Sequence, residues 1–183
     1  MTGTPHFPPL PINGVIHEFH HLQAFTMSFH SKAANKVLRV NVRFSNHCFS
    51  FKPDPAVSYD PELLLLDHAN RERVFCPIRY QLSFDLPSIV RSLNNPQCKV
   101  YETSARRNYT YSLKIENPKG PYHLFFELSR DNTARGKQQD LNLFIESAYH
   151  EDPLKGSPAT IGKIGFHVLC TNVYLGKKVS TRR

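Results

Sequence analysis

Long apolar runs are missing from this sequence, and so is tryptophan. The strongest apolar cluster, residues 63–66, is four leucines long, whereas a helix that crosses a membrane needs about 20 apolar residues. The opening MTGTPHFPPLPING has neither the basic start nor the apolar centre of a secretory signal. We therefore expect a protein of the cytoplasm that has no membrane partner.

Cysteine pairs are also absent. The four cysteines are far apart, with no CxxC motif and no histidine at zinc-finger spacing, which excludes zinc ribbons and fingers. Three of them have apolar neighbours, where a free thiol behaves as a small hydrophobic side chain. We expect reduced, mostly buried thiols at all four positions: Cys48, Cys76, Cys98 and Cys170.

An acidic excess is absent too, because 23 Lys and Arg residues outnumber 15 Asp and Glu residues and give a formal net charge of +8. A positive surface favours an anionic partner such as nucleic acid. Glycine-rich nucleotide-binding loops and the nucleophile elbow of serine hydrolases do not occur. We predict RNA as the partner, and leave open an inhibitor or partner protein and the oligomeric state.

The 183 residues fit a single domain. Residues 1–13 contain four of the 14 prolines and no apolar periodicity, which predicts a flexible, extended arm outside the core. We place the domain at residues 14–176 and a basic tail at residues 177–183. The sequence shows neither an internal repeat nor a second domain.

Apolar spacing predicts the first elements. Alternation over residues 36–44 indicates a half-buried strand. Asp85 is a good N-cap for a short helix at residues 86–93. Residues 16–29 have apolar side chains three to four apart, which favours a helix, although alternation in the second half also allows a strand. Residues 62–73 fit a short helix or a buried strand.

The stretch from Cys98 to Tyr149 has the pattern of an antiparallel meander, with the turn NPKG between two of its strands. Residues 161–175 are predicted to add one more strand. The expected fold class is α+β, an antiparallel meander with one to three short helices packed on one face. In the last strand of the meander, five alternate residues are predicted to share one face: Leu141, Leu143, Ile145, Ser147 and Tyr149.

The sequence HEFHH matches the zincin motif HExxH, in which two histidines one helical turn apart bind zinc and the glutamate activates water. Its context argues against a protease, because only 16 residues precede it and no acidic residue follows before Asp54. A histidine-rich amphipathic segment is the favoured interpretation. Zinc ligation stays as the weak alternative, and it would use His17, Glu18 and His21.

Cleavage of RNA without a metal suits this composition better. The reaction needs one group to accept the 2′-hydroxyl proton, another to protonate the leaving oxygen, and cations to stabilise the charge on the phosphate. Histidine suits the proton steps and arginine suits the phosphate. Each candidate also has a structural interpretation, as a turn cap, a core edge or a solvated charge. The candidates at predicted strand ends are His47, Arg79, Arg107, His123, Ser147 and Tyr149.

The series LFFELSR, a polar loop and LNLFIESAYHED resembles the closing strands of the barnase, EndoU, colicin and RelE-like group of RNase domains, above all its phage and toxin branch. The resemblance covers residues 47–152. It implies an antiparallel sheet with one or two helices, an RNase site on the open face, no metal, and a role in growth inhibition or phage defence. Only the SAY element, residues 147–149, is carried over from that group; the histidine and arginine candidates come from chemistry alone.

One departure from that group concerns charge. No lysine stands beside SAYHED, and three acidic residues surround it that would repel phosphate: Glu146, Glu151 and Asp152. The sequence as a whole predicts an RNA-binding protein that acts as a metal-independent endoribonuclease of toxin or phage-defence type and needs no cofactor. The alternative is a non-catalytic module that binds nucleic acid or protein in a defence or mobile-element system.

Overall fold

The computed structural model describes residues 6–104, 108–116, 118–132, 139–151 and 156–181. Within them the fold class is α+β, as predicted. The strands are β1 (Leu10–Ile12), β2 (Val15–His17), β3 (Phe25–Ser31), β4 (Lys36–Phe44), β5 (Ser50–Phe51), β6 (Leu64–Leu66), β7 (Glu72–Phe75), β8 (Lys99–Thr103), β9 (Asn108–Glu116), β10 (Lys119–Arg130), β11 (Leu141–His150) and β12 (Thr160–Gly165). The helices are α1 (Pro77–Ser83), α2 (Leu86–Ser92) and α3 (Phe166–Tyr174).

A seven-stranded sheet in the order β12-β8-β9-β10-β11-β4-β3 dominates the fold. The predicted meander is confirmed as the antiparallel series β8 to β11. One pair departs from it, because β11 lies parallel to β4 over residues 141–145. Two smaller sheets, β1-β2 and β5-β7-β6, complete the strands of the described residues.

One face of the main sheet forms the core. The alternation predicted for β4 is confirmed, because Leu38, Val40 and Val42 are fully buried. Helix α3 packs on β10, where Phe166 meets Phe126 edge to face at a centroid distance of 6.2 Å. Burial of a large apolar side chain contributes about 1.5–3 kcal/mol, so this layer holds the sheet and helix together.

A β-bulge interrupts β11 where it passes β10. Phe125 pairs with Ser147, but the next residue, Phe126, pairs with Ile145. Glu146 is therefore the extra residue of the bulge, and it shifts the inside-outside alternation of β11 by one position.

The bulge corrects the prediction that five alternate residues of β11 share one face. Leu143 and Ile145 face the core, but after the bulge Ala148 takes the core position and is fully buried. Ser147 and Tyr149 consequently lie on the opposite face, called the open face below. The bulge changes the spacing of buried residues from two to three between Ile145 and Ala148, but Ala148 is small and Ser147 and Tyr149 continue the period of two, which explains the error.

The helix favoured at residues 16–29 is wrong. This segment forms β2, a 3₁₀ turn at His20–Leu22 and β3. In β3 the side chains of Met27 and Phe29 are buried while Thr26 and Ser28 are exposed, a period of two that fits its antiparallel pairing with β4. Pairing with a long neighbouring strand outweighed the weak helical spacing.

The first described residues pack against the domain, unlike the predicted arm outside the core. The Phe7 ring contacts Phe19 and Phe49 edge to face, at 5.9 and 5.1 Å. Ile12, in β1, is 5% exposed. Apolar side chains between the prolines therefore fix this segment although it has no regular periodicity.

The remaining elements bear out some predictions and correct others. The helix predicted at residues 86–93 is confirmed as α2, although Asp85 makes no side-chain cap. Residues 62–73, left open between helix and strand, form a 3₁₀ turn, β6 and the start of β7. The single strand predicted at residues 161–175 is β12 followed directly by α3, and α1 was not predicted. No helix among the described residues is long and apolar enough to span a membrane.

Candidate functional site

The candidate site forms where β4 ends and β11 continues with β10 as its only paired strand among the described residues. After Phe44, the Ser45 N–H donates to the Ile145 carbonyl at 2.9 Å, and the Ser45 hydroxyl donates to the Glu146 carbonyl at 2.6 Å. A 3₁₀ turn at Asn46–Cys48 then lies beside the last residues of β11. The edge of β11 is therefore lined by loop and helix residues whose side chains reach Tyr149.

Arg79, on α1, is held at this edge by backbone carbonyls. Its Nη1 donates to the Ser50 carbonyl at 2.6 Å and to the His47 carbonyl at 3.3 Å. The central carbon of its guanidinium lies 5.1 Å from the centroid of the Tyr149 ring, a cation–π contact. Burial lowers the pKa of Arg79 below its ordinary value.

A second arginine shares the same acceptor. Arg73 donates from Nη2 to the Ser50 carbonyl at 3.2 Å and from Nε to the Ser50 hydroxyl at 3.3 Å. Burial, and then repulsion from Arg79, lowers the pKa of Arg73 to about 10. Among the described residues neither arginine forms an ion pair. This arginine pair, Arg73 and Arg79, therefore keeps two partly desolvated positive charges available for an anion.

The carboxylate that acts on Arg73 through its charge, Asp67, has hydrogen-bond partners of its own. Asp67 accepts from the His47 ring at 3.1 Å and from the Arg71 side chain at 2.8 Å. It also accepts from the backbone N–H groups of Ala69 and Arg71. Burial opposes its ionisation, but these hydrogen bonds together hold the pKa of Asp67 well below its usual range. Burial outweighs the Asp67 contact in His47 and lowers the pKa of its imidazole.

Aromatic rings cover the open face next to the arginine pair. The rings of Phe125 and Tyr149 stack with centroids 5.3 Å apart and planes 16° from parallel. His123 contacts Tyr149 at 6.1 Å. Burial raises the pKa of Tyr149, although Arg79 opposes the shift, so the phenol keeps its proton at neutral pH.

His123 is 2% exposed and both of its ring nitrogens are hydrogen-bonded. Nδ1 lies 2.8 Å from the Ser112 hydroxyl, and Nε2 lies 2.8 Å from a Glu151 carboxylate oxygen. Hydrogen bonds from Ser157 and His123 lower the pKa of Glu151. An ionised Glu151 fixes the tautomer with the proton on Nε2, which leaves Nδ1 as an acceptor towards the exposed Ser112.

Five of the six predicted site residues lie around the end of β11. His47, Arg79 and Tyr149 form one series of contacts, and His123 adjoins Tyr149. Ser147 is half-buried on the open face beside Phe125. Arg107 lies outside the described residues.

Sequence reasoning missed three members of this site. Arg73 was read only as part of an ambiguous segment, Ser112 was not considered, and Glu151 was counted as a repulsive charge. A signal for Ser112 exists in NYTYSLK, where alternation places it opposite the apolar side of β9. The Glu146 carboxylate is likewise engaged, because the Asn108 amide donates to it. Asp152 lies outside the described residues.

The HExxH motif lacks its helix. His17 ends β2 and His21 lies in the 3₁₀ turn, so the two rings are not one helical turn apart. The His17 ring contacts Tyr80 at 4.9 Å, whereas His21 stacks on Phe84 at 4.0 Å and bonds to Ser83. The described residues include no group of three or more side chains suited to hold a metal. The zincin geometry is therefore not formed.

A sequence model described as the YjaZ family matches residues 9–174, a span that includes every strand and helix from β1 to α3. No curated protein and no solved structure matches the chain.

Proposed function

The chain belongs to the YjaZ family, and from the side chains gathered at β11 we propose that it binds RNA and cleaves it without a metal ion. The observation that carries this proposal is the arginine pair. Two half-buried guanidinium groups share the Ser50 carbonyl and have no carboxylate partner among the described residues, and one of them, that of Arg79, lies over the ring of Tyr149. Phosphate matches the charge and forked geometry of such donors.

The chemistry requires a base next to the phosphate. In the proposed reaction His123 accepts the 2′-hydroxyl proton at Nδ1 while its Nε2–H remains bound to Glu151. The 2′-oxygen then bonds to phosphorus, the bond to the 5′-oxygen breaks, and that oxygen takes a proton from the Tyr149 phenol. The arginine pair stabilises the charge that grows on the phosphate oxygens. Ser112, exposed on the strand, marks the position where the substrate hydroxyl would bond to Nδ1.

Two of the three acidic residues that weigh against phosphate binding have other partners. Glu146 accepts from Asn108, and Glu151 accepts from His123 and Ser157. Glu151 then assists the reaction, because it orients the imidazole and stabilises it after protonation. A role in growth inhibition or phage defence rests only on the resemblance to that RNase group and stays a prediction.

Incubation of the purified protein with total RNA in EDTA tests the proposal. We expect cleavage in EDTA that falls at least 100-fold in Arg79→Ala and in Tyr149→Phe, since each removes a group used in the transition state. Arg130→Ala is the matched control, because Arg130 lies seven residues beyond His123 on β10, about 23 Å away along the strand. Cleavage that persists in both site variants would rule the proposal out.

A second candidate function is RNA binding without cleavage. It is favoured by one observation, that both ring nitrogens of His123 already have partners. Aromatic stacking and cations bind single strands equally well without chemistry. Wild-type protein that binds RNA with Arg79-dependent affinity but leaves it intact would establish this alternative.

A further inference from the structure

A basic groove lies at the opposite end of the main sheet from the arginine pair. This cavity of about 960 Å³ is bounded by β8, β12 and the segment after α3. Its lining includes Lys99, Lys163 and Lys178, all exposed, and no acidic side chain from the described residues. We call it the lysine groove.

The wall that carries Lys178 is fixed to the sheet. A Cβ atom at Gly162 would lie 2.4 Å from the Thr181 carbonyl oxygen, so only glycine lets the segment approach β12 this closely. The Thr181 hydroxyl donates to the Glu102 carboxylate, and Thr181 is 6% exposed. The groove is therefore a built feature, with its lysines held on both sides.

A smaller cavity of about 410 Å³ connects this groove to the candidate site. It is lined by Ser112, Lys114 and His123, and it shares Tyr101 and Thr160 with the lysine groove. Since Tyr149 contacts His123, one path leads from the arginine pair across β11, β10, β9, β8 and β12. With about 4.8 Å between strands, the path is about 19 Å long.

The pairing register places the aromatic and basic groups on the same face. Tyr101 pairs with Lys163 and with Thr110, which in turn pairs with Phe125. Tyr101 is 37% exposed, so its ring is available for stacking. Base stacking on exposed rings with flanking cations is how proteins hold single strands, whereas a duplex keeps its bases stacked inside.

We propose that the lysine groove and the smaller cavity form a track for single-stranded RNA that leads away from the Arg79–Tyr149 site. The choice of RNA rests on the proposed function, but the track itself is defined by binding. A strand bound here contacts the lysines through its phosphates and Tyr101 through a base. The same track gives the arginine pair a place at one end of the path: cleavage occurs where the strand reaches the last residues of β11, beyond its pairing with β4.

Fluorescence polarisation with a 12-nucleotide 2′-O-methyl RNA tests the track, because this probe lacks the attacking hydroxyl and stays intact. We expect the combined Lys99→Ala, Lys163→Ala and Lys178→Ala variant to bind at least 10-fold more weakly. The slope of log K against log salt should decrease by about 2, since each phosphate contact on a single strand contributes about 0.7. Tyr101→Ala should weaken binding on the order of tenfold with an unchanged slope.

Lys32→Ala, Lys52→Ala and Arg130→Ala combined form the charge-matched control, which removes three positive charges outside the groove. If this control loses as much affinity as the groove variant, or if a 12-base-pair duplex binds as tightly as the single strand, the track is wrong. Absence of any RNA binding by the wild-type protein would overturn it as well.

A parallel cleavage assay separates the two proposals. If RNA binding weakens in the groove variant but the wild-type protein does not cleave RNA, the track is supported and the RNase function is ruled out. If the wild-type protein cleaves RNA and the groove variant binds RNA with unchanged affinity, the RNase function is supported and the track is ruled out. Circular dichroism of each variant shows whether the fold is retained, and Tyr101→Ala gives a second readout if the triple variant does not fold.

Discussion

Two charged clusters lie within a few residues of each other and are built in opposite ways. Around Asp67 every charge has a partner, since one buried carboxylate accepts from His47, Arg71 and Ala69. Within the part of the chain that the structure describes, the arginine pair has only neutral acceptors, of which the Ser50 carbonyl is shared. A closed network stabilises the fold, whereas charges left on neutral acceptors are free to bind a ligand.

The largest change in stability should come from removing the Asp67 carboxylate, on which the closed network is built. In Asp67→Ala the side chains of His47 and Arg71 and two backbone N–H groups lose their acceptor, which we expect to cost about 3–5 kcal/mol of unfolding free energy. Urea denaturation measures this, with Glu72→Ala on the neighbouring β7 as an exposed control. A loss no larger than that of the control would mean that the network does not stabilise the fold.

Lowering the pH should reduce the unfolding free energy by less than Asp67→Ala does, because protonation removes the charge of Asp67 but keeps its side chain. Its pKa is lower in the folded state, so its contribution is complete above the unfolded pKa of about 3.9 and decreases as the pH falls below that value. The lowered pKa of His47 acts in the same direction below about pH 6.5.

Urea midpoints at pH 7, 5 and 3 check the acid response. Wild-type protein should lose stability at each step, and Asp67→Asn, which has no carboxylate to protonate, should lose less between pH 5 and pH 3. Equal losses in the two proteins over that interval would contradict the assignment to Asp67.

The arginine pair should respond to an added anion. Inorganic phosphate at about ten times its dissociation constant should stabilise the folded wild-type protein by about 1.4 kcal/mol, because it binds only the folded arrangement. Thermal unfolding with phosphate, against chloride at equal ionic strength, measures this shift. Arg130→Ala should keep the response and Arg79→Ala should lose it; a shift that persists in Arg79→Ala places the anion elsewhere.

The smallest change in unfolding free energy is expected from Arg79→Met measured without ligand. The change leaves two carbonyls with fewer donors, but it also relieves the repulsion that lowers the pKa of Arg73. These terms oppose each other, so we expect the unfolding free energy to change by less than about 1 kcal/mol. A loss of unfolding free energy comparable with that of Asp67→Ala would show that the arginine pair stabilises the fold. The two clusters would then not differ in the way described.

The sequence pattern predicted the features that depend on residues near one another in the chain. The strand β4 followed from strict alternation, and α2 was predicted from Asp85, which directly precedes it although its side chain makes no cap. The candidates His47, Arg79, His123, Ser147 and Tyr149 were chosen from chemistry and from predicted strand ends, although Arg79 lies on α1 and His47 lies in a 3₁₀ turn. These features depend on residues close together in the sequence.

The rest depends on contacts between distant residues. The bulge at Glu146 arises from pairing with β10 and decides that Tyr149 faces outwards. The roles of Arg73 and Glu151 depend on Ser50 and His123, which are 23 and 28 residues away. From the sequence, Glu151 was only a negative charge that would repel phosphate. Its hydrogen bond to the buried His123 ring is what gives it a part in the proposed reaction.

The parallel pairing of β4 with β11 also sets the order of events during synthesis. Ser45 and Glu146, which bond where these strands meet, are 101 residues apart, whereas β9 and β10 form a local hairpin. Contacts between distant residues form late because a long loop must close first. The edge that holds Arg79 against Tyr149 can be completed only after β11 has left the ribosome, so an emerging chain carries the core hairpin before it carries the site.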